Sequence, residues 1–82
     1  MLLNIKLFGV VKEKIGSDTL VFEASSQASL TVAELLEQLK RAYPVLGSLS
    51  SLAVAVNHTY ASGEVALQAQ DEIALIPPVS GG

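Results

Sequence analysis

Hydrophobic and polar positions change rhythm several times along the 82-residue chain, and each change predicts an element. In residues 2–10 (LLNIKLFGV), Leu3, Ile5 and Leu7 alternate with Asn4, Lys6 and Phe8, the period of two of a half-buried strand. This phase turns Leu3, Ile5 and Leu7 inward and leaves Phe8, a large apolar side chain, on the polar face beside Lys6. Residues 11–16 are short, charged and closed by Gly16, which suits a turn of helix or a loop. Residues 19–24 (TLVFEA) form a second β-rich run, and Gly16-Ser17-Asp18 is turn chemistry able to join the two strands as a hairpin.

After a polar connector at 24–29, Thr31 is placed to cap a helix, with Glu34 three residues on to complete a capping box. Val32, Leu35, Leu36, Leu39 and Tyr43 then recur at helical spacing, opposite Glu34, Glu37, Gln38 and Arg41. Pro44 ends this helix, because the residue before a proline is pushed out of helical geometry. Residues 45–51 read as a loop. Residues 52–56 (LAVAV) are small and apolar throughout, as in a strand covered on both faces or set in a sheet centre. The stretch 57–65 is turn-rich, with Asn57 and Gly63 suited to left-handed conformations, and holds a short strand near 58–62. Asp71-Glu72 closes a turn before the last strand, 71–76 (DEIALI). There Ile73 and Leu75 point inward, while Ile76 faces out with Ala74 and Glu72.

Two strands before one helix and two or more after it predict the α+β class and a ubiquitin-like β-grasp. Its mixed sheet has four to five strands, with one main helix packed across one face. A ferredoxin-like arrangement requires a second helix that residues 60–70 cannot supply. The expected organisation is one domain over 1–76 and an extended tail over 77–82. The first and last strands of a β-grasp lie side by side, so Phe8 and Ile76 are expected to share the helix-free face. Tyr60, in the nearby turn, extends the patch. A contiguous exposed apolar patch of this kind marks a partner surface, whereas scattered apolar residues do not.

Composition narrows the chemistry. Half of the residues are hydrophobic and none is cysteine, so stability must come from an apolar core, and thiol catalysis or thiolate metal binding is excluded. Five basic against eight acidic residues give a net charge of −3, which argues against nucleic acid and suits a basic groove on a protein partner. No apolar run approaches the roughly 20 residues of a membrane span. The N-terminus lacks the charged-then-apolar order of a signal peptide. The chain is therefore expected in the cytoplasm. His58 is the only histidine, lies in a turn, has no acid marked as its partner, and reads as a solvated loop residue. Gly9 and Gly16 lack phosphate-loop spacing. No catalytic constellation or metal site emerges, so no activity is expected of the chain alone.

The last six residues are unusual. Pro77 and Pro78 cannot donate ladder hydrogen bonds and hold the backbone extended, which aims Val79, Ser80, Gly81 and Gly82 away from the core. Two readings of the Gly-Gly end stand: a frayed terminus, or a reactive end slim enough to thread a narrow tunnel and present a bare carboxylate. A carboxylate is a poor electrophile, and transfer of AMP from ATP converts it to a mixed anhydride open to attack. Attack by sulfur gives a terminal thiocarboxylate. Attack by a lysine or cysteine gives conjugation to a protein.

Three stretches, 5–18 (IKLFGVVKEKIGSD), 52–62 (LAVAVNHTYAS) and 71–82 (DEIALIPPVSGG), resemble the MoaD family of molybdopterin synthase small subunits, within the wider group of ubiquitin-like sulfur carriers. The resemblance runs over essentially the whole length. It implies a thiocarboxylate carried on Gly82, with Gly81 as the companion glycine that permits threading of a tail made of Pro77, Pro78, Val79 and Ser80. It also implies two partners. One is an adenylating enzyme that uses ATP; the other is a large synthase subunit, in a heterotetramer of two small and two large chains. There the sulfur passes to cyclic pyranopterin monophosphate to build the molybdopterin dithiolene. No cofactor is held by the small chain, which acts as a sulfur-donor subunit. Apolar interface positions of the family match Phe8, Tyr60 and Ile76. Two departures stand out: Gln70 where the family often has glycine, and Ile76 where it often has an aromatic residue. Other readings are a carrier for thiamine or tRNA thiolation, a lysine-linked ubiquitin-like modifier, and an interaction module with an inert tail. Thiamine carriers are shorter and lack the PPVSGG ending.

Overall fold

A computed structural model describes residues 1–25, 29–49 and 52–77. Strand β1 (Leu2–Leu7) is followed by a short helix α1 (Gly9–Ile15) and by β2 (Thr19–Glu23). A two-residue strand β3 (Leu30–Thr31) leads into the main helix α2 (Val32–Ala42), and a 3-10 helix spans Pro44–Ser48. Then come β4 (Ala53–Val56), β5 (Thr59–Ala61), β6 (Ala66–Leu67) and β7 (Ile73–Ile76). Five strands form one sheet in the order β2-β1-β7-β4-β5, and β3 and β6 form a separate pair. β1 and β7 run parallel, and every other pairing is antiparallel. This is the β-grasp arrangement.

The alternation of β1 has the expected phase: Leu3, Ile5 and Leu7 are buried and the residues between them are exposed. Ile73 and Leu75 of β7 stand beside them on the same face. Helix α2 covers this face with Val32, Leu35 and Leu39, all buried, while Leu36 and Tyr43 pack at the margin. Its N-terminus carries the full capping box: the Glu34 backbone N–H donates to Thr31 Oγ1 at 3.2 Å. The Thr31 backbone N–H donates in return to Glu34 Oε1 at 2.9 Å. Val11 of α1, Leu46 of the 3-10 helix, and Leu30 and Leu67 of the small sheet close the core.

Four local features depart from the sequence expectations. The segment after β1 is a seven-residue helix, and the strands it joins still pair as a hairpin would. The Leu7 N–H donates to the Asp18 carbonyl at 3.0 Å, and Gly16 caps α1 at φ 87° with its N–H on the Lys12 carbonyl. Pro44 begins a 3-10 helix, where a loop was expected, because a proline at the first position of a helical turn has no N–H to leave unpaired. The β3–β6 pair had no signal, since two residues establish no period. Gly63 is not left-handed. A Cβ there would lie 3.2 Å from the Ala33 Cβ, so the glycine serves a close approach to the start of α2, where the Ala33 N–H donates to the Gly63 carbonyl.

Thr31→Ala is expected to lower unfolding free energy by about 1 kcal/mol, through loss of one member of the capping box. Leu35→Ala, which opens a cavity under the sheet, is expected to lower it by about 2–5 kcal/mol. Urea denaturation of the two variants checks both the order and the size of these effects.

Candidate functional site

The side chains on the helix-free face are set by strand register. Lys6 of β1 pairs with Ala74 of β7, Ala74 with Ala55 of β4, and Ala55 with Tyr60 of β5. These four therefore form one row across the sheet, because residues directly opposite on neighbouring strands point to the same side. Two of the four are alanines, so the middle of the row is low. Ala53 lies opposite Ile76 on the same face. A shallow depression results. Lys6 and Tyr60 stand at the two ends of the row, and Phe8, Ile76, His58 and Glu72 complete the lining.

Phe8, Tyr60 and Ile76, singled out by strand phase and by the family resemblance, thus line one depression. Phe8 is 48% exposed and Tyr60 70%, while Ile76 is half-buried against its neighbours. Phe8 lies just beyond β1, at the N-cap of α1, in extended geometry. Its carbonyl accepts from the N–H groups of Val11 and Lys12, which holds the corner in place.

The polar part of the lining, Lys6, Glu72 and His58, forms a unit that no local sequence pattern marks. Glu72 Oε2 lies 3.3 Å from Lys6 Nζ and 3.4 Å from His58 Nε2. His58 therefore has an acid beside it, contrary to the sequence reading, although its side chain is 81% exposed as expected of a loop residue. Pairs this exposed contribute about 0–1 kcal/mol each. They orient side chains at the rim more than they stabilise the fold. The histidine comes into reach because Asn57 and His58 are both left-handed, at φ 52° and 72°, in a two-residue turn between β4 and β5. Asn57 ties that turn to the start of β7. Its Oδ1 accepts from the Glu72 N–H at 2.9 Å, its own N–H donates to the Glu72 carbonyl at 2.7 Å, and its Nδ2 donates to Asp71 Oδ1 at 3.1 Å. Asp71 Oδ2 in turn accepts from the Gln68 N–H at 2.8 Å, so the turn at Gln70 closes without a glycine.

Pro77 follows β7 directly. Expected as the first residue of a stem clear of the domain, it is half-buried, with its ring against Gly9. Pro78, Val79, Ser80, Gly81 and Gly82 lie outside the described residues. Among the described residues there is no grouping of His, Asp and Glu that could hold a metal ion, and no helix is long and apolar enough to cross a membrane.

Asn57→Ala is expected to destabilise the chain by about 1–2 kcal/mol, since it removes the two side-chain hydrogen bonds that offset the strain of a left-handed residue. Phe8→Ala is expected to change stability by less than about 1 kcal/mol, as befits an exposed side chain. Thermal melts decide both, and a large loss for Phe8→Ala would place that ring in the core.

The chain is similar to the molybdopterin synthase sulfur carrier subunit of Dictyostelium discoideum, at 41% identity over 96% of this chain and 94% of the relative. The crystal structure of small archaeal modifier protein 1 of Haloferax volcanii is 31% identical, with a TM-score of 0.79, over 95% of this chain and 98% of that one. A protein–protein complex of subunits 1 and 2 of the molybdopterin-converting factor of Helicobacter pylori contains a chain 25% identical, with a TM-score of 0.66 and complete coverage of both chains. A model of the ThiS family matches residues 5–82, and with that match the chain is shown to belong to the ThiS family.

Proposed function

We propose that this chain is the sulfur-carrier subunit of a molybdopterin synthase, working in the cytoplasm, with Gly82 as its reactive end. The observation that carries this reading is continuity. The strand that places Ile76 in the apolar depression runs one residue further into Pro77, the root of the tail. A partner seated on Phe8, Tyr60 and Ile76 thereby receives the tail at the edge of the same contact. The relative from Dictyostelium is a molybdopterin synthase sulfur carrier subunit, and the Helicobacter chain is held in a complex with a second subunit, which supports the same use of this fold here.

The chemistry belongs to the terminal carboxylate. An adenylating enzyme supplies ATP; a carboxylate oxygen of Gly82 attacks the α-phosphorus and pyrophosphate leaves. A sulfur nucleophile then displaces AMP from the acyl carbon, leaving a thiocarboxylate. Within the large synthase subunit this sulfur attacks cyclic pyranopterin monophosphate, water then cleaves the acyl carbon–sulfur bond and restores the Gly82 carboxylate, and two such deliveries complete the dithiolene. Gly81 and Gly82 present no side chain to a tunnel wall, and Pro77 and Pro78 lower the entropy lost when the stem is held straight. The apolar depression supplies burial for docking, and the Lys6–Glu72–His58 rim fixes its register. Two small chains at the ends of a large-subunit dimer give the assembly.

A second reading, a ubiquitin-like protein modifier, is favoured by the likeness to small archaeal modifier protein 1. The two readings share the adenylate and part at the nucleophile.

Intact mass measurement of the chain from its native cells separates them. The carrier reading expects a gain equal to the mass difference between one sulfur and one oxygen atom, and molybdopterin on mixing with a large subunit and the pterin precursor. Isopeptide-linked lysines in place of that product would favour the modifier. Removal of Gly82 is expected to abolish sulfur transfer while changing stability by less than about 0.5 kcal/mol. Phe8→Ala is expected to weaken large-subunit binding about tenfold or more, as for a central aromatic anchor, and titration calorimetry measures it.

A further inference from the structure

We propose that Gly9 is a positioning residue for sulfur transfer: its missing side chain forms the seat on which Pro77 rests, and this seat sets the direction in which the tail leaves the domain. The inference rests on the sulfur-carrier reading and adds to it a residue outside both the tail and the apolar depression.

Gly9 is left-handed, at φ 54°, and a Cβ built on it would lie 2.8 Å from Pro77 Cγ and 3.6 Å from Cδ. The first distance is too short for any real contact, so a side chain at this position must displace something. A long flexible side chain would yield at its far end. A proline ring cannot, because its atoms are tied back to the backbone nitrogen and its φ is locked. The displacement would pass into the main chain at the root of the tail. The other side of the contact is also held: the Phe8 carbonyl accepts from Val11 and Lys12, and Leu7 is bound to Asp18. On the tail side the ladder runs as far as Ile76, opposite Ala53. Pro77 is the first residue past the ladder, and the described contact that steers it is the one with Gly9.

Leverage makes the seat matter. Five residues follow Pro77, and fully extended they reach up to about 17 Å. A tilt of about 10° at the root then moves Gly82 by about 3 Å over that span. A misplacement of about 1 Å at a reacting atom lowers a rate by up to about a hundredfold. Gly9 also adjoins Phe8, so the docking face and the tail root are referred to a single corner of the domain.

The test compares Gly9→Asn, Pro77→Ala and the double variant in the reconstituted synthase, each chain loaded as its thiocarboxylate. Asparagine tolerates left-handed geometry, so Gly9→Asn adds the Cβ with little backbone strain. Gly9→Asn is expected to lower the rate at saturating large subunit about tenfold, with the Kd for that subunit changed less than about threefold. In the double variant the ring atoms that collide are gone, and the rate is expected to recover to that of Pro77→Ala alone. A wild-type rate for Gly9→Asn at saturation, or a double variant no faster than Gly9→Asn, would overturn the proposal. A loss confined to Kd would do the same, because it would make Gly9 part of the docking face. The unmodified thiocarboxylated chain is the control on function: if it yields no molybdopterin, the carrier reading fails. The seat is then judged by NMR, where a cross-peak between Gly9 Hα and Pro77 Hγ must be present in the free chain and absent in Gly9→Asn.

Discussion

The ladder between β1 and β7 joins the two ends of the chain in parallel, with Ile5 beside Ile73 and Leu7 beside Leu75. It sits inside the sheet, flanked by β2 on one side and β4 on the other. Parallel neighbours cannot be linked by a tight turn, so the whole middle of the chain serves as the crossover. That crossover contains α2, and it must return across one face, which is the face the strands bury. The opposite face is left bare by the same constraint. Phe8 and Ile76, at the two ends of the molecule's sequence, become neighbours there, and Pro77 lands on Gly9. The core, the bare face and the position of Pro77 all trace to this one pairing.

The bare face is made acceptable in water by small residues. Ala53, Ala55 and Ala74 occupy its middle, so the apolar area exposed is far less than three larger side chains would present. Low positions between Phe8, Ile76 and Tyr60 also make the surface concave. The Lys6–Glu72–His58 rim is bound to this floor by strand register and by the Asn57 clasp. A polar margin around an apolar centre is the usual anatomy of an interface that must exist both free and bound.

Elements with a sustained period were legible in the sequence. Leu3, Ile5 and Leu7, and the helical series ending at Leu39, had the right phase because each spans several repeats of its pattern. The capping box was legible because Thr31 and Glu34 are close in the chain and their chemistry is local. Phe8, Tyr60 and Ile76 could be placed on one face from strand phase together with the order of strands. What escaped was either too short to show a period, as with β3 and β6, or depended on contacts distant in sequence. Gly63 does sit in a turn, closed by the Val65 N–H on the Ser62 carbonyl, but what requires a glycine there is its approach to Ala33 and not a left-handed backbone. The meeting of His58 with Glu72 required both the left-handed turn and the β4–β7 register. Gly9 carried no local mark at all, since its partner stands 68 positions away.

The placement of β7 has a mechanical side. Force applied at Pro77 along the chain enters the domain along the axis of this strand. β7 is hydrogen-bonded on both flanks, to β1 and to β4, so such a load is shared among many ladder bonds in shear. An edge strand pulled sideways would instead peel away one bond at a time. The domain therefore resists a pull along β7 better than a pull across it.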